Sequence, residues 1–309
     1  MQTRNAKHDQ VTGCLLGGAL GDAWGRPWEG SAGLIHFEVP TRSSVSDDTQ
    51  LTLATCESII ENGRVDPECL ASHFLTWFLK GRIFGIGAST LKSMRDLAAG
   101  THWALAGSRG EYAAGNGAAM RIAPLAFLLD PADSEHRTII RDVCRITHHN
   151  DEAYVGALAV VLAIQSVLEG KWSHQNSFLR GVLDSLPDSA VRDRIEMLIP
   201  LQISPSELAC RFGASGYVVD TVPLALYCAQ FIAEAPLPAV LARTISAGGD
   251  TDTIASITGQ ISGTVVCAAG VSSDLFSSVQ DSQDVFRIVQ QFADFVSARE
   301  NDEQPTSRP

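Results

Sequence analysis

Two acidic clusters lie far apart in the chain, and their residue types suggest metal chemistry. The first reads SDDT at residues 46–49, and the second reads GGDTDT at residues 248–253. Carboxylate and hydroxyl oxygens without sulfur ligands are the donors that Mg²⁺ and Mn²⁺ prefer. If the fold joins the clusters, four carboxylates repel one another, and two bound cations would relieve that repulsion. These carboxylates belong to Asp47, Asp48, Asp250 and Asp252.

Helix capping is the alternative explanation for both clusters. Asp, Ser and Thr side chains accept hydrogen bonds from the first N–H groups of a helix. Asp47 or Asp48 could cap a helix that begins near Thr49, and Asp250 could cap one that begins at Thr253. One helix start needs only one cap, however, and each cluster carries two carboxylates. The pair of clusters therefore favours a metal site, although either cluster alone fits a cap.

A glycine-rich loop is a second candidate for ligand binding. Gly115, Asn116 and Gly117 precede an apolar segment that is predicted to be helical. Backbone N–H groups in such a loop can surround a phosphate. An ordinary turn with a left-handed Asn is equally compatible with the residues. The loop matches neither the Walker pattern nor GxGxxG.

Four further polar residues are candidates whose roles the sequence leaves open. Asp22 ends a stretch of small residues and Glu29 follows it, but either carboxylate could simply serve local structure. His148 lies between two predicted helices, where it could contact a substrate or act as a helix C-terminal cation. Tyr217 precedes an apolar helix and could line a pocket. No GxSxG motif or cysteine signature indicates a nucleophile.

The composition excludes several classes of protein. Of 309 residues, 45% are hydrophobic and 19% are charged, which is typical of a globular chain. A net charge of −12 without a Lys/Arg run argues against nucleic-acid binding. Seven scattered cysteines without a CxxC pattern fit a reducing compartment. The polar N-terminus carries no apolar signal core, and the long uncharged run at residues 253–273 is diluted by polar residues. We therefore expect a cytoplasmic protein that does not engage a membrane.

Helical spacing dominates the chain, and strand patterns are scarce. The spacing predicts an all-α, compact, single-domain helical bundle over residues 11–299, with flexible tails at residues 1–10 and 300–309. The predicted helices span residues 11–24, 49–61, 67–79, 89–99, 120–129, 134–147, 151–168, 176–186, 189–198, 222–233, 253–269 and 284–299.

Taken together and in order, these motifs resemble those of the ADP-ribosylglycohydrolases, the family that includes dinitrogenase-reductase-activating glycohydrolase. The matching segments are residues 17–22 with Glu29, then residues 46–49, 115–121, 147–148, 217–221 and 248–253. They cover nearly the whole chain. The resemblance implies an all-α fold, two Mg²⁺ or Mn²⁺ ions, and cleavage of the glycosidic bond between ADP-ribose and a modified protein side chain or small molecule.

The resemblance also implies a role for each matching residue. The implied metal ligands are Ser46, Asp47, Asp48, Asp250, Asp252 and Thr253, with Ser46 standing where the family usually has Thr. Asp47, Asp48 or Glu29 would act as the catalytic carboxylate. The implied substrate-binding residues are Asp22, Gly115, Asn116, Gly117, His148 and Tyr217.

One segment departs from the family pattern. Arginine-directed bacterial relatives carry Asp-x-Gly-Asn where this chain has GIGA at residues 85–88. A carboxylate there would suit a guanidinium group, so its loss weakens the expectation of arginine specificity. Two alternatives stay open from the sequence: a non-catalytic ADP-ribose-binding or structural member of the family, and a metal-dependent phosphoester hydrolase.

Overall fold

Helices dominate the computed structural model, which describes residues 6–31, 33, 35–172, 177–280 and 282–303. The α-helices are α1 (Ala6–Gly25), α2 (Asp47–Asn62), α3 (Pro67–Leu79), α4 (Ala88–Ala98), α5 (Ser134–Arg145), α6 (Asp151–Leu168), α7 (Ser177–Leu183), α8 (Ala190–Leu198), α9 (Pro205–Phe212), α10 (Val218–Ala229), α11 (Leu237–Ile245), α12 (Thr251–Val266) and α13 (Ser282–Glu303). Two residue pairs, β1 (Ser108–Arg109) and β2 (His148–His149), form one short parallel ladder. The predicted all-α class is confirmed.

The ends of the predicted domain differ from the observed helices. Helix α1 begins at Ala6, inside the segment that was predicted as an N-terminal tail. Helix α13 continues to Glu303, past the predicted boundary at residue 299. Residues 1–5 and 304–309 of the two predicted tails lie outside the described residues, as does Asn176 at the start of one predicted helix.

The helix predicted over residues 120–129 is wrong. The chain there forms two 3-10 helices, Asn116–Arg121 and Ala123–Phe127. Pro124 lacks the N–H that an α-helix would need at that position. The apolar residues that suggested an α-helix are instead buried in these two consecutive 3-10 helices. Two short helices, α9 and α11, were not predicted, because each spans only two turns and begins at or beside a proline.

Close contact between α1 and α12 forms the centre of the fold. Glycines on α1 face glycines and backbone of α12 so closely that a side chain has no room. A Cβ at Gly17 would lie 2.3 Å from the carbonyl oxygen of Gly259, and one at Gly21 would lie 2.1 Å from that of Ala255. This contact fixes the end of α1 against the start of α12, where the second acidic cluster begins.

Helix α6 packs in the apolar core on the other side of α12. It is the one described helix that is long and apolar enough to cross a membrane, and 67% of it is buried inside the fold. Its burial is what a core helix of a globular domain shows. Asn150 caps its start by accepting hydrogen bonds from the N–H groups of Glu152 and Ala153.

Candidate active site

The two acidic clusters meet at one cleft. The first turn of α2 carries Asp47 and Asp48, and the first turn of α12 carries Asp252 and Thr253. The cleft has a volume of about 260 Å³ and is lined by Glu29, Asp47, Asp48, Gly85, Gly87, Ala88, Ser89, Thr90, Gly115, Asn116, Gly117, Met120, His148, Gly216, Asp250, Asp252 and Thr253. Two helix N-termini therefore point at the carboxylates, which their partial positive charge favours.

Asp48 has one carboxylate oxygen without a partner among the described residues. Its Oδ2 accepts hydrogen bonds from Ser46 Oγ at 3.1 Å and from Thr253 Oγ1 at 3.3 Å. The contact with Thr253 joins the two clusters directly. Its Oδ1 is buried and accepts no hydrogen bond. A buried, unpartnered carboxylate oxygen is costly unless a cation binds it.

Three carboxylates form a second group on the α12 side of the cleft. Oxygens of Glu29, Asp250 and Asp252 all lie within 4.8 Å of one another. The glycine loop before α12 produces this approach, because Gly249 exchanges backbone hydrogen bonds with Gly30 and Ser31 of the segment that carries Glu29. Glu29 was predicted as a catalytic carboxylate, and the structure gives it a possible ligand position as well.

Burial and mutual repulsion raise the pKa values of these carboxyl groups. Burial, with a smaller effect from the charge of Asp22, raises the pKa of Asp47 to about 7. Burial, with a smaller effect from the charge of Asp250, raises the pKa of Asp252 to about 9. The pKa of Asp48 lies well above its ordinary value because of burial and Asp252, and that of Glu29 is raised by burial and Asp250. The metal-free site thus favours protons, which divalent cations would displace.

The donor set fits hard divalent cations. The acidic side of the cleft offers carboxylate and hydroxyl oxygens, with the Asn116 amide beside Asp250, and among the described residues no Lys or Arg side chain lines the cleft. Such oxygen ligands suit Mg²⁺ and Mn²⁺. The unpartnered Asp48 oxygen and the group of Glu29, Asp250 and Asp252 line the same cleft and offer oxygen ligands that a divalent cation could bind.

The first cluster does contain a helix cap, but the cap is Ser46 and not Asp47 or Asp48, which lie in the first turn of α2. Ser46 caps α2, since its Oγ accepts a hydrogen bond from the N–H of Asp48 at 3.3 Å. Ser46 also donates to Asp48 and does not line the cleft, so it orients a predicted ligand. Asp250 stands at the cap position of α12 but makes no side-chain capping bond, which leaves its carboxylate at the cleft.

Asp22 was predicted to bind substrate, and the structure places it elsewhere. The side chain is fully buried and does not line the cleft. Its oxygens accept hydrogen bonds from the N–H groups of Ser46 and Thr49 and from the hydroxyl of Thr49. Asp22 therefore anchors the start of α2 on α1, and a substrate would not reach it.

The glycine-rich loop lines the cleft and contacts the second acidic cluster. Asn116 donates through Nδ2 to Asp250 at 2.6 Å and to Thr221 at 3.0 Å, so its side chain orients a candidate ligand. Gly115 and Gly117 leave room for the ring of His148, which is 3% exposed and lines the cleft. These residues, predicted to bind substrate, do come together.

Tyr217 lies beside the cleft. Its backbone pairs with Gly115, and its side chain is 43% exposed. The preceding Gly216 lines the cleft, where a Cβ would lie 3.2 Å from Asp250 Oδ2. Tyr217 therefore lies beside the cleft, and the preceding Gly216 lines it.

The loop that leads into α4 forms part of the site, and the sequence indicated it only through the departure from the family pattern at residues 85–88. Gly85 has a φ of 88°, and a Cβ there would lie 3.2 Å from Asp47 Oδ1. Gly87 and Thr90 also line the cleft. The comparison with the family pattern pointed to residues 85–88, but nothing in the sequence showed that Gly85 would lie against Asp47 of α2.

Comparisons with known proteins decide the family. The family model of the ADP-ribosylglycohydrolases matches residues 3–305. The chain belongs to this family. ADP-ribosyl-[dinitrogen reductase] glycohydrolase of Rhodospirillum rubrum is 28% identical over 83% of this chain and 85% of its own length. An uncharacterized protein of Archaeoglobus fulgidus is 30% identical, over 82% of this chain and 87% of its own length.

A solved structure shows the same fold. The chain titled "ADP-ribosylglycohydrolase-related protein complex" superposes with a TM-score of 0.67 over 94% of this chain and 99% of its own, at 21% identity. The protein is thus a hydrolase of the ADP-ribosylglycohydrolase family, whose members act on ADP-ribose glycosidic bonds. The resemblance that the motifs indicated is confirmed.

Proposed function

We propose that this protein uses two divalent cations to cleave the bond between ADP-ribose and a modified side chain or small molecule. One observation carries the metal part of the proposal: the buried Oδ1 of Asp48 has no partner among the described residues and lies in the same cleft as the group of Glu29, Asp250 and Asp252. Asp47 and Thr253 complete the proposed set of metal ligands.

The residues of the cleft have separate tasks in this proposal. The chemistry that bound cations supply is polarisation of a water molecule and of the ribose hydroxyls near the anomeric carbon. Asp47, Asp48 or Glu29 takes a proton from the attacking water. The surrounding carboxylates stabilise the positive charge that develops on the sugar ring. The glycine loop and His148 hold the rest of the ADP-ribose.

The loop before α4 and the first turn of α4 favour a neutral leaving group. None of the residues that line the cleft there carries a charge: Gly85, Gly87, Ala88, Ser89 and Thr90. A guanidinium is recognised best by a carboxylate that offers two oxygens. The carboxylates that are present are proposed to hold cations. We therefore propose hydroxyl-linked ADP-ribose, as on serine, as a better substrate than the arginine-linked form.

A panel of ADP-ribosylated peptides tests both parts of the proposal. Serine-linked and arginine-linked peptides are incubated with protein in Mg²⁺, Mn²⁺ or EDTA, and released ADP-ribose is measured. We expect release that EDTA abolishes and that is faster from the serine-linked peptide. Asp48→Asn should lose release, while Asp188→Asn, at an exposed residue outside the cleft, should keep it. Release that persists in EDTA would contradict the metal proposal, and faster release from arginine would contradict the leaving-group proposal.

A further inference from the structure

A fully buried arginine lies directly behind the cleft. Arg121 is 1% exposed, and its guanidinium lies 5.1 Å above the ring of Phe74. It donates to the carbonyl oxygens of Gly117 and Val143. Among the described residues, no carboxylate lies within ion-pair distance of it. A buried cation without an anionic partner is costly, so a specific role for Arg121 needs to be sought in its remaining contact.

That remaining contact begins a chain of two hydrogen bonds. Arg121 Nη2 lies 2.8 Å from Thr147 Oγ1, and Thr147 Oγ1 lies 2.7 Å from Nδ1 of His148. A guanidinium can only donate, so the Thr147 oxygen accepts from Arg121. Thr147 is fully buried, and among the described residues Nδ1 of His148 is the one acceptor within hydrogen-bond distance of its hydroxyl hydrogen. A buried hydroxyl hydrogen needs an acceptor, so Thr147 donates to Nδ1 of His148.

An acceptor at Nδ1 determines the state of the imidazole. A neutral ring with a lone pair at Nδ1 carries its proton at Nε2. Burial, with the nearby charge of Arg121, lowers the pKa of His148 to about 3. The ring thus stays neutral at any pH at which the enzyme would work, and the tautomer is the property that the chain of hydrogen bonds controls.

The Nε2 atom lies at the cleft. A Cβ added at Gly115 would lie 3.0 Å from Nε2, and one added at Gly117 would lie 2.8 Å from Cε1. The two glycines therefore leave the Nε2 edge uncovered by side chains. Half of the polar side chains that line the cleft are carboxylates, which only accept hydrogen bonds when ionised. An N–H at this position supplies a donor that the carboxylates cannot.

We infer that Arg121 and Thr147 are positioning residues that fix His148 as a neutral Nε2–H donor to an acceptor oxygen of bound ADP-ribose. The inference rests on the proposed function for its ligand. It assigns Arg121 a task, since the guanidinium donates to the Thr147 oxygen and holds that hydroxyl beside the ring. If the hydroxyl hydrogen pointed elsewhere, Thr147 could accept from an Nδ1–H, and Nε2 would then face the ligand as an acceptor.

Two variants of Thr147 separate this role from a structural one. Thr147→Val keeps the shape of the side chain and removes the hydroxyl, and Thr147→Ser restores the hydroxyl. Nitrogen-15 NMR of histidine-labelled protein reports the tautomer of His148, assigned by comparison with His148→Gln. Titration calorimetry with free ADP-ribose in Mn²⁺ reports affinity, and thermal unfolding checks that each variant is folded.

The expected results are specific. Wild-type and Thr147→Ser protein show the Nε2–H tautomer, and Thr147→Val shows a mixture with roughly tenfold weaker ADP-ribose binding, the scale of one hydrogen bond. An Nδ1–H tautomer in the wild type, or a folded Thr147→Val variant with unchanged tautomer and affinity, would overturn the inference. The tautomer is read without substrate or metal, so a failure of the proposed hydrolysis would appear separately, as absent ADP-ribose release from protein with the expected tautomer.

Discussion

The backbone N–H of Ser46 lies 3.0 and 2.9 Å from the two carboxylate oxygens of Asp22. This contact ties the end of α1 to the first turn of α2. Ser46 in turn donates a hydrogen bond to Asp48. The buried Asp22 therefore positions Asp48 through Ser46 without lining the cleft itself.

Asp22→Asn should therefore damage the site through the start of α2. The amide nitrogen would face an N–H or hydroxyl donor, leaving a buried donor unsatisfied at a cost of about 1–3 kcal/mol. We expect a lower melting temperature and weaker Mn²⁺ binding, measured by thermal unfolding and calorimetry. An unchanged melting temperature would contradict the anchoring role.

Gly21→Ala should separate α1 from α12. The added methyl group would lie 2.1 Å from the carbonyl oxygen of Ala255, and overpacking of this kind costs about 1–3 kcal/mol. Gly181→Ala on α7 is the matched control, because nothing lies within 4 Å of that added Cβ. We expect it to stabilise the protein by about 0.5–1 kcal/mol. Equal effects of the two changes in thermal unfolding would show that the helix contact is not tight.

Asn116→Ala should weaken metal binding without removing a proposed ligand. Asn116 donates to Asp250 at 2.6 Å, and residues that orient metal ligands typically contribute 10–100-fold to affinity or activity. Calorimetric titration with Mn²⁺ measures the loss. Affinity equal to that of the wild type would mean that Asp250 either needs no support or binds no metal.

Stability of the metal-free protein should fall as the pH rises. The ordinary carboxyl pKa of 3.8 is raised to about 7 for Asp47 and about 9 for Asp252, so the folded state holds protons that the unfolded state has released. The free energy of unfolding then decreases between about pH 4 and pH 9. Melting temperatures in EDTA should follow this trend.

Divalent cations should reverse that trend. Cations replace the protons, so the stabilisation by Mg²⁺ or Mn²⁺ should grow with pH over the same interval. Asp252→Asn should flatten the upper part of the curve in EDTA. A melting temperature in EDTA that rises steadily from pH 5 to pH 9 would contradict the reading of the cleft.

The acidic site and most of the helices could be predicted from the sequence, because both depend on local patterns. Paired carboxylates at Asp47 and Asp48 and helical spacing behind them are visible in the chain itself. The burial of Asp22 is not visible, since a carboxylate after small residues could face either solvent or protein. Its role depends on the distance between α1 and α2, which only tertiary packing sets.

Other misses have the same origin. The apolar residues of the two 3-10 helices at residues 116–127 have the spacing of an α-helix, but Pro124 and close packing prevent one. The loop with Gly85 is held against α2 by a hydrogen bond from the N–H of Phe84 to Gln50 at 2.7 Å, a tertiary contact that the sequence does not show. In the sequence, Arg121 lies near the start of the predicted helix at residues 120–129, and its contact with Thr147 exists only in the folded chain.

The central claim is that hydrolysis requires two cations held jointly by the two acidic clusters. Its most direct test is equilibrium dialysis with Mn²⁺, with bound ions per chain and ADP-ribose release measured in the same samples. We predict no release from ion-free protein, and release that rises as the number of bound ions approaches two. Full release from protein with no bound Mn²⁺ would contradict the account.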